Sequence, residues 1–391
     1  MALNIFATAI PTFALQLIIL PILACSMPDA KYGLLVTILA ILNVVPSTMG
    51  NVLNNIRLLY NNDYIENGYE GDFNVILLLL TGINLIIVSG FLFLYERPFS
   101  CISLFLTLLA SVIWIMKEYF IVAFRIKIDY IAIMNNNLLQ VVGYGLGYLL
   151  YRITNRWQFI YLIGYAISLI YIFTHCSIWK EKFVITPLFK NTTWQTILLL
   201  VSNLLNRIIT YADKILIFPI LGGSVVSVYY AATIFGKVVS LMITPINSVV
   251  LTYLAKVKKK KDDMFSSSFI LGLIVCALGY IICIVISRPV LTILYPQYVD
   301  EAMKYIFITT GTTVVYALIS IVNPFILKFF DMKWQIRING GTVVLYILLC
   351  MGLLKIWGLY GFCIGALLTN LFKLIFMLAV YMKCNTQSKI I

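Results

Sequence analysis

Charge is scarce in this chain. Of its 391 residues, 11% are Asp, Glu, Lys or Arg, where a soluble domain carries about 25%. Acidic residues are the rarer sign, 15 against 28 Lys and Arg. Histidine occurs once, at His175, which excludes a metal centre built on imidazoles. No two of the eight cysteines have the CxxC spacing of a zinc or redox site. Cys276, Cys283, Cys350 and Cys363 stand singly inside apolar stretches and read as small packing residues. Strands of alternating polarity are missing, which excludes an outer-membrane barrel. Missing too is a long hydrophilic loop of the kind in which a membrane glycosyltransferase or polymerase holds its catalytic residues. Met1–Cys25 has no basic n-region, so no cleavable signal is expected there.

What fills the chain is hydrophobic residues, 62% of the total, in continuous runs such as Ile76–Leu94 and Phe269–Ile286. A soluble fold, with about 45–50% apolar residues, could not hide that much. The composition predicts an all-α integral membrane protein. A spanning helix needs about 20 mainly apolar residues, and twelve such stretches are present: 5–25, 32–54, 73–95, 99–121, 131–151, 157–178, 193–221, 228–254, 266–287, 303–327, 338–356 and 359–381. The net charge of +13 lies mostly in the short loops between them, so it reports topology and not a nucleic-acid partner. With the N-terminus inside, the inner loops hold seventeen Lys and Arg, among them Arg57, Lys180, Lys182, Lys190 and the stop-transfer run Lys258–Lys261. The outer loops hold seven: Lys31, Arg97, Arg152, Arg156, Arg288, Lys304 and Lys355. The positive-inside rule then places both termini in the cytoplasm.

The sequence repeats itself. A shift of 198 residues overlays Thr8–Thr37 on Asn206–Phe235 without a gap, with nine identities that include Pro21/Pro219, Ser26/Ser224 and Tyr32/Tyr230. Each half would hold six spans, and an even number returns the chain to the same side. The halves are therefore expected to be parallel repeats, as in many alternating-access transporters. The expected division is 1–180, a cytoplasmic linker 181–190, and 191–391.

Polar residues inside the spans form stripes. Asn203, Arg207, Tyr211 and Lys214 share one face of the seventh span at i, i+4, i+8 and i+11. Asp213 stands beside Lys214, and Lys237 lies on the polar face of the eighth span. Counted from the outer loop at 222–227, Lys214 is ~12 Å deep, Lys237 ~14 Å and Arg207 ~22 Å. All three straddle the middle of a ~30 Å hydrocarbon core, where a charge is costly and needs a reason. Lys373 in the twelfth span lies deeper, toward the cytoplasm. The first half carries Asn43 in its second span, ending at Arg57, and its matching stripes have no midplane charge. Two readings follow. Interhelical hydrogen bonds and an Asp213–Lys pair would hold the bundle. A surplus of cations over acids instead predicts a hydrated cationic cavity between the halves, suited to an anionic substrate. Gly143, Gly145 and Gly147 sit in mid-span and read as a GxxxG contact, not a nucleotide loop.

These residues resemble a known family. Asp213-Lys214-Ile215-Leu216, then Leu221-Gly222-Gly223 and Val228-Tyr229-Tyr230-Ala231-Ala232, look like the signature of polysaccharide flippases around their seventh and eighth spans. Pro245 with Leu251–Ala255, Leu294-Tyr295-Pro296-Gln297-Tyr298 and Tyr32-Gly33 fit as well. The family is the O-antigen/lipopolysaccharide flippases of the multidrug/oligosaccharidyl-lipid/polysaccharide exporter superfamily. The resemblance implies twelve transmembrane helices in two parallel six-helix repeats, a V-shaped alternating-access bundle in the bacterial inner membrane. It implies movement of undecaprenyl-diphosphate-linked oligosaccharide from the inner to the outer leaflet, with no enzymatic step and no cofactor beyond coupling to a proton or sodium gradient. Partners would be membrane lipids, an O-antigen polymerase and a chain-length regulator. Substrate-binding residues would be Arg207, Lys214, Lys237, Asp213, Asn203, Tyr211, Asn43, Arg57 and Lys373. The alternatives are a cation-coupled exporter of the same superfamily and, from another class, an O-antigen polymerase.

Overall fold

The computed structural model describes residues 10–96, 100–236, 262–330 and 332–383. Among them helix is the only regular structure. Helix α1 (Ile10–Ser26) is wound as a π-helix over Leu15–Ile19. Next come α2 (Asp29–Val44), α3 (Pro46–Asn67), α4 (Asp72–Tyr95), α5 (Cys101–Phe120), the short α6 (Val122–Ile126), α7 (Tyr130–Thr154) and α8 (Gln158–His175). A connecting segment leads to α9 (Phe189–Ala232), followed by α10 (Asp262–Leu294), α11 (Val299–Phe329) and α12 (Met332–Lys383). The expected spans fall on these helices where they are described, the first from Ile10 onward; the eighth is described only to Gly236, and α9 covers its Val228–Ala232. Spans seven and eight meet inside α9 at Gly222, whose φ of 80° suits glycine, and spans eleven and twelve meet inside α12 at Trp357 and Gly358. Lys237, Pro245 and the Lys258–Lys261 run lie outside the described residues.

Local chemistry sets the helix ends. Ser100 and Asp129 accept the first free backbone N–H groups of α5 and α7, while Gly68 and Asn155 close α3 and α7 in the left-handed conformation. Among the described residues, eight helical stretches are long and apolar enough to cross a membrane, by length and composition. Their outward residues are apolar, as in Leu271, Ile274, Val275, Leu278, Ile282 and Val285 of α10. A band of that kind has no partner in water but a natural one in lipid. This is a multi-pass membrane protein.

The chain forms two compact units, one of Met1–Leu23 with Leu34–Ile215, the other of Ala24–Gly33 with Leu216–Ile391. In the first, α7 and α8 pack backbone to backbone. A Cβ on Gly143 would lie 2.7 Å from Gly164 Cα, and one on Gly147 would lie 2.5 Å from Ile160 Cα, whereas Gly145 faces open space. The asparagines that make α7 polar are spent inside the unit: Asn136 Oδ1 accepts from Ser168 Oγ at 2.9 Å, and Gln140 bonds the Tyr144 hydroxyl. Unlike the expected span, α3 runs on to Asn67, past the apolar stretch. Its polar end is anchored by Tyr64, whose hydroxyl donates to Asp72 at 2.7 Å and lies 2.9 Å from Thr192 Oγ1.

The second unit has an aromatic core, with Phe265 stacked on Tyr381 at 3.8 Å and both rings edge-on to Phe325. Its other end is a tyrosine corner of Tyr32, Tyr230, Tyr295 and Tyr298. Here the sequence repeat becomes a contact. Tyr32 meets Tyr230 edge-on at 6.1 Å, and Ser227 Oγ donates to the Asp29 carbonyl at 2.6 Å. Both pairs are 198 residues apart, so equivalent residues of the repeat touch each other. Gly33 and Gly223 let the backbones close in, since a Cβ on either would collide with main chain.

Candidate functional site

The polar stripe of α9 lies in the first unit as far as Ile215. Tyr211 donates its hydroxyl to Asn43 Oδ1 at 3.3 Å, and Asn43 Nδ2 is in turn held by the Leu39 carbonyl at 2.8 Å. That second bond fixes which way the Asn43 amide points. Lys214 Nζ contacts both oxygens of Asp213 at 2.6 Å, with the side chains 6% and 13% exposed. The same ammonium stands 5.9 Å from the Tyr211 ring. Arg207, half-buried, is the charged neighbour of the Tyr211 phenol one turn further along. So Asn43, Arg207, Tyr211, Asp213 and Lys214 form one linked group on two helices.

Charge in this group is unevenly matched. Asp213 and Lys214 cancel as a pair, and burial of both is tolerable because each satisfies the other. Among the described residues no carboxylate forms an ion pair with Arg207. The group therefore carries one net positive charge, on a guanidinium whose N–H fork is suited to an oxyanion, while the neighbouring phenol spends its proton on Asn43. Asn203, two turns before Tyr211, is half-buried on the same face.

Arg57, in the same unit, stands apart from this group. Arg57 makes a two-pronged bond to Glu181, with Nη2 at 2.6 Å from Oε1 and Nη1 at 2.9 Å from Oε2, and lies over the Phe73 ring at 4.6 Å. Burial works against its charge, yet the Glu181 bonds, helped by the Tyr119 and Tyr64 phenols, leave the guanidinium above its ordinary pKa. Around this pair the connecting segment is fastened: Asn74 Nδ2 donates to the Glu181 carbonyl, and the Thr186 N–H donates to Asp72 at 2.7 Å. Gly71 makes room by lying directly on the Lys182 backbone. Lys373, in the second unit, donates to Asn339 Oδ1 at 3.2 Å. Sequence reasoning did not single out Glu181, Asp72 or Thr186. Their only signal was a carboxylate–cation complementarity between stretches more than a hundred residues apart.

Among the described residues, a bundle of long apolar helices with charged stripes inside its spans defines an integral membrane fold. No family model matches the sequence, and no curated protein does. The solved structures are more informative. A lipid II flippase, MurJ, in an inward closed conformation superposes with a TM-score of 0.70 at 13% identity, over 97% of this chain and 85% of that one. A MATE transporter in a bent conformation gives 0.61 at 9% identity, over 96% and 92%. The Vibrio cholerae MATE transporter VcmN, in its bent form, gives 0.57 at 9%, over 97% and 94%. The chain has the fold of the exporter superfamily to which these proteins belong.

Proposed function

We propose that the protein is a flippase that carries undecaprenyl-diphosphate-linked polysaccharide repeat units, of the O-antigen type, from the inner to the outer leaflet of a bacterial inner membrane, with both termini in the cytoplasm. The halves 1–180 and 191–391 act as the two repeats of an alternating-access cycle driven by a proton or sodium gradient. The product would pass to an O-antigen polymerase and its chain-length regulator. The observation that carries this reading is the positive charge of Arg207, beside Tyr211 and Asn43 and unmatched by a carboxylate among the described residues. A diphosphate is the anion that such a group attracts. Support also comes from the fold likeness, which is greater to a lipid II flippase than to the MATE transporters. Lys237, Lys373, Lys214, Asp213 and Asn203 complete the substrate-binding set in this reading. The likeness to MATE transporters supports a second reading, a cation-coupled exporter of small molecules.

The test is a strain lacking its own O-antigen flippase, with membrane level and surface polysaccharide measured together. The wild-type chain restores polysaccharide. Arg207→Gln keeps the protein at normal level and removes most of the polysaccharide, while Arg207→Lys retains part, since charge survives without the planar fork. Full polysaccharide from Arg207→Gln refutes the reading. Drug resistance conferred without polysaccharide selects the exporter.

A further inference from the structure

A groove of about 470 Å³ runs along the first unit between the start of α5, the end of α7 and the start of α8. Its walls are Ile102, Phe105, Leu106 and Phe159, with Cys101 among them and Arg156 at the rim. Ile102 and Phe105 are 59% and 65% exposed, so the apolar wall is open along its length. The rim is held in place. Asn155 turns the chain in the left-handed conformation, the Arg156 N–H donates to Thr154 Oγ1, and Arg156 Nη1 donates to Ser100 Oγ at 3.3 Å. A side chain so fixed presents its remaining donors in one direction.

We propose that this groove binds an anionic glycerophospholipid, its phosphate on Arg156 and an acyl chain along the α5 wall. Three observations converge. First, three helix ends meet at the rim, so Arg156 stands at the depth of lipid headgroups while the walls lie at the depth of acyl chains. Second, Arg152 and Arg156, one turn apart in the last turn of α7 and just past its end, are two of only seven basic residues expected on the outer side. Third, the opposing acid is weakened: burial pushes the Glu96 carboxyl up, against the pull of Ser103 and Arg156. A zwitterionic headgroup brings its own cation to the arginine, so the preference is for net negative lipid. Soluble peptides and sugars have no use for an open apolar wall facing the bilayer.

Cys101 reports occupancy directly, because it lines the groove and is exposed. Cys25, also exposed, lies in the other unit and serves as the reference thiol. The intact protein is placed in nanodiscs of phosphatidylcholine alone or mixed with phosphatidylglycerol, treated with N-ethylmaleimide, and both cysteines are quantified by mass spectrometry. Phosphatidylglycerol should slow Cys101 relative to Cys25 by about fivefold, the effect of one well-placed arginine on an anionic headgroup. Arg156→Gln should abolish that difference, and Arg156→Lys should keep most of it. An unchanged ratio in wild-type protein overturns the proposal without any variant. Equal slowing in Arg156→Gln, at unchanged melting temperature, overturns it as well.

Discussion

Removing Glu181 should destabilise the protein more than removing Glu181 and Arg57 together. The two side chains are 8% and 12% exposed and share two bonds of 2.6 and 2.9 Å. At an effective dielectric of ~20, unit charges ~4 Å apart attract by ~4 kcal/mol. Much of that offsets the cost of taking both ions out of water, so the intact pair contributes little net. A lone buried guanidinium has no such compensation, and breaking one side of a buried pair costs about 3–5 kcal/mol. Phe73, 4.6 Å away, recovers only a fraction of it. Glu181→Ala should therefore cost about 3 kcal/mol or more, and Arg57→Met with Glu181→Leu should lie near wild type. The assay is a double-mutant cycle on detergent-solubilised protein, unfolded by SDS or heat and followed by tryptophan fluorescence. If the single costs add in the double variant, the residues are not coupled and the reasoning fails.

Two further outcomes follow from the geometry. Gly143→Val should prevent α7 from seating on α8 and sharply reduce membrane level, while Gly145→Val, which points into open space, should be tolerated; equal levels from the two would mean that the close approach is not needed. Lys214→Gln should lower abundance by leaving Asp213 buried and unpaired, and Asp213→Asn in the same chain should restore it; a double variant no better than the single removes the pair from the account of folding.

The spans were legible because lipid demands long apolar helices, a one-dimensional property of sequence. The fifth, 131–151, is the span most interrupted by amides, with Asn135, Asn136, Asn137 and Gln140. Its asparagines and glutamine find partners such as Ser168 and Tyr144 on α7 and α8, which a count of apolar residues cannot foresee. Gly143 and Gly147 were visible as a packing motif, and they pack. The end of α3 was not visible, because a polar helix outside the membrane has no hydropathy signal. The α9 stripe was found through its spacing, and it does gather Arg207, Tyr211 and Lys214. Its strongest bond was outside that logic: residues i and i+1 on a helix do not face each other, yet the long Lys214 side chain curls back to Asp213. Arg57 was legible as a charge but not as the partner of Glu181. A pair 124 residues apart is a property of the folded chain.

At the tyrosine corner a residue must be compatible with its own copy. An aromatic ring meets that demand without change, because a negative face can receive the positive edge of an identical ring. Tyr32 and Tyr230 have accordingly stayed the same residue, edge to face. Carboxylates cannot do this. With aspartate at 227 as at 29, a second anion would point at the Asp29 carbonyl oxygen, two acceptors with no proton between them. Serine at 227 supplies that proton, and the Asp29 carboxylate is left free to accept from Tyr298 at 2.8 Å. Self-pairing thus sorts the positions of a duplicated chain into those that can remain twins and those that must differ, and this corner contains one of each.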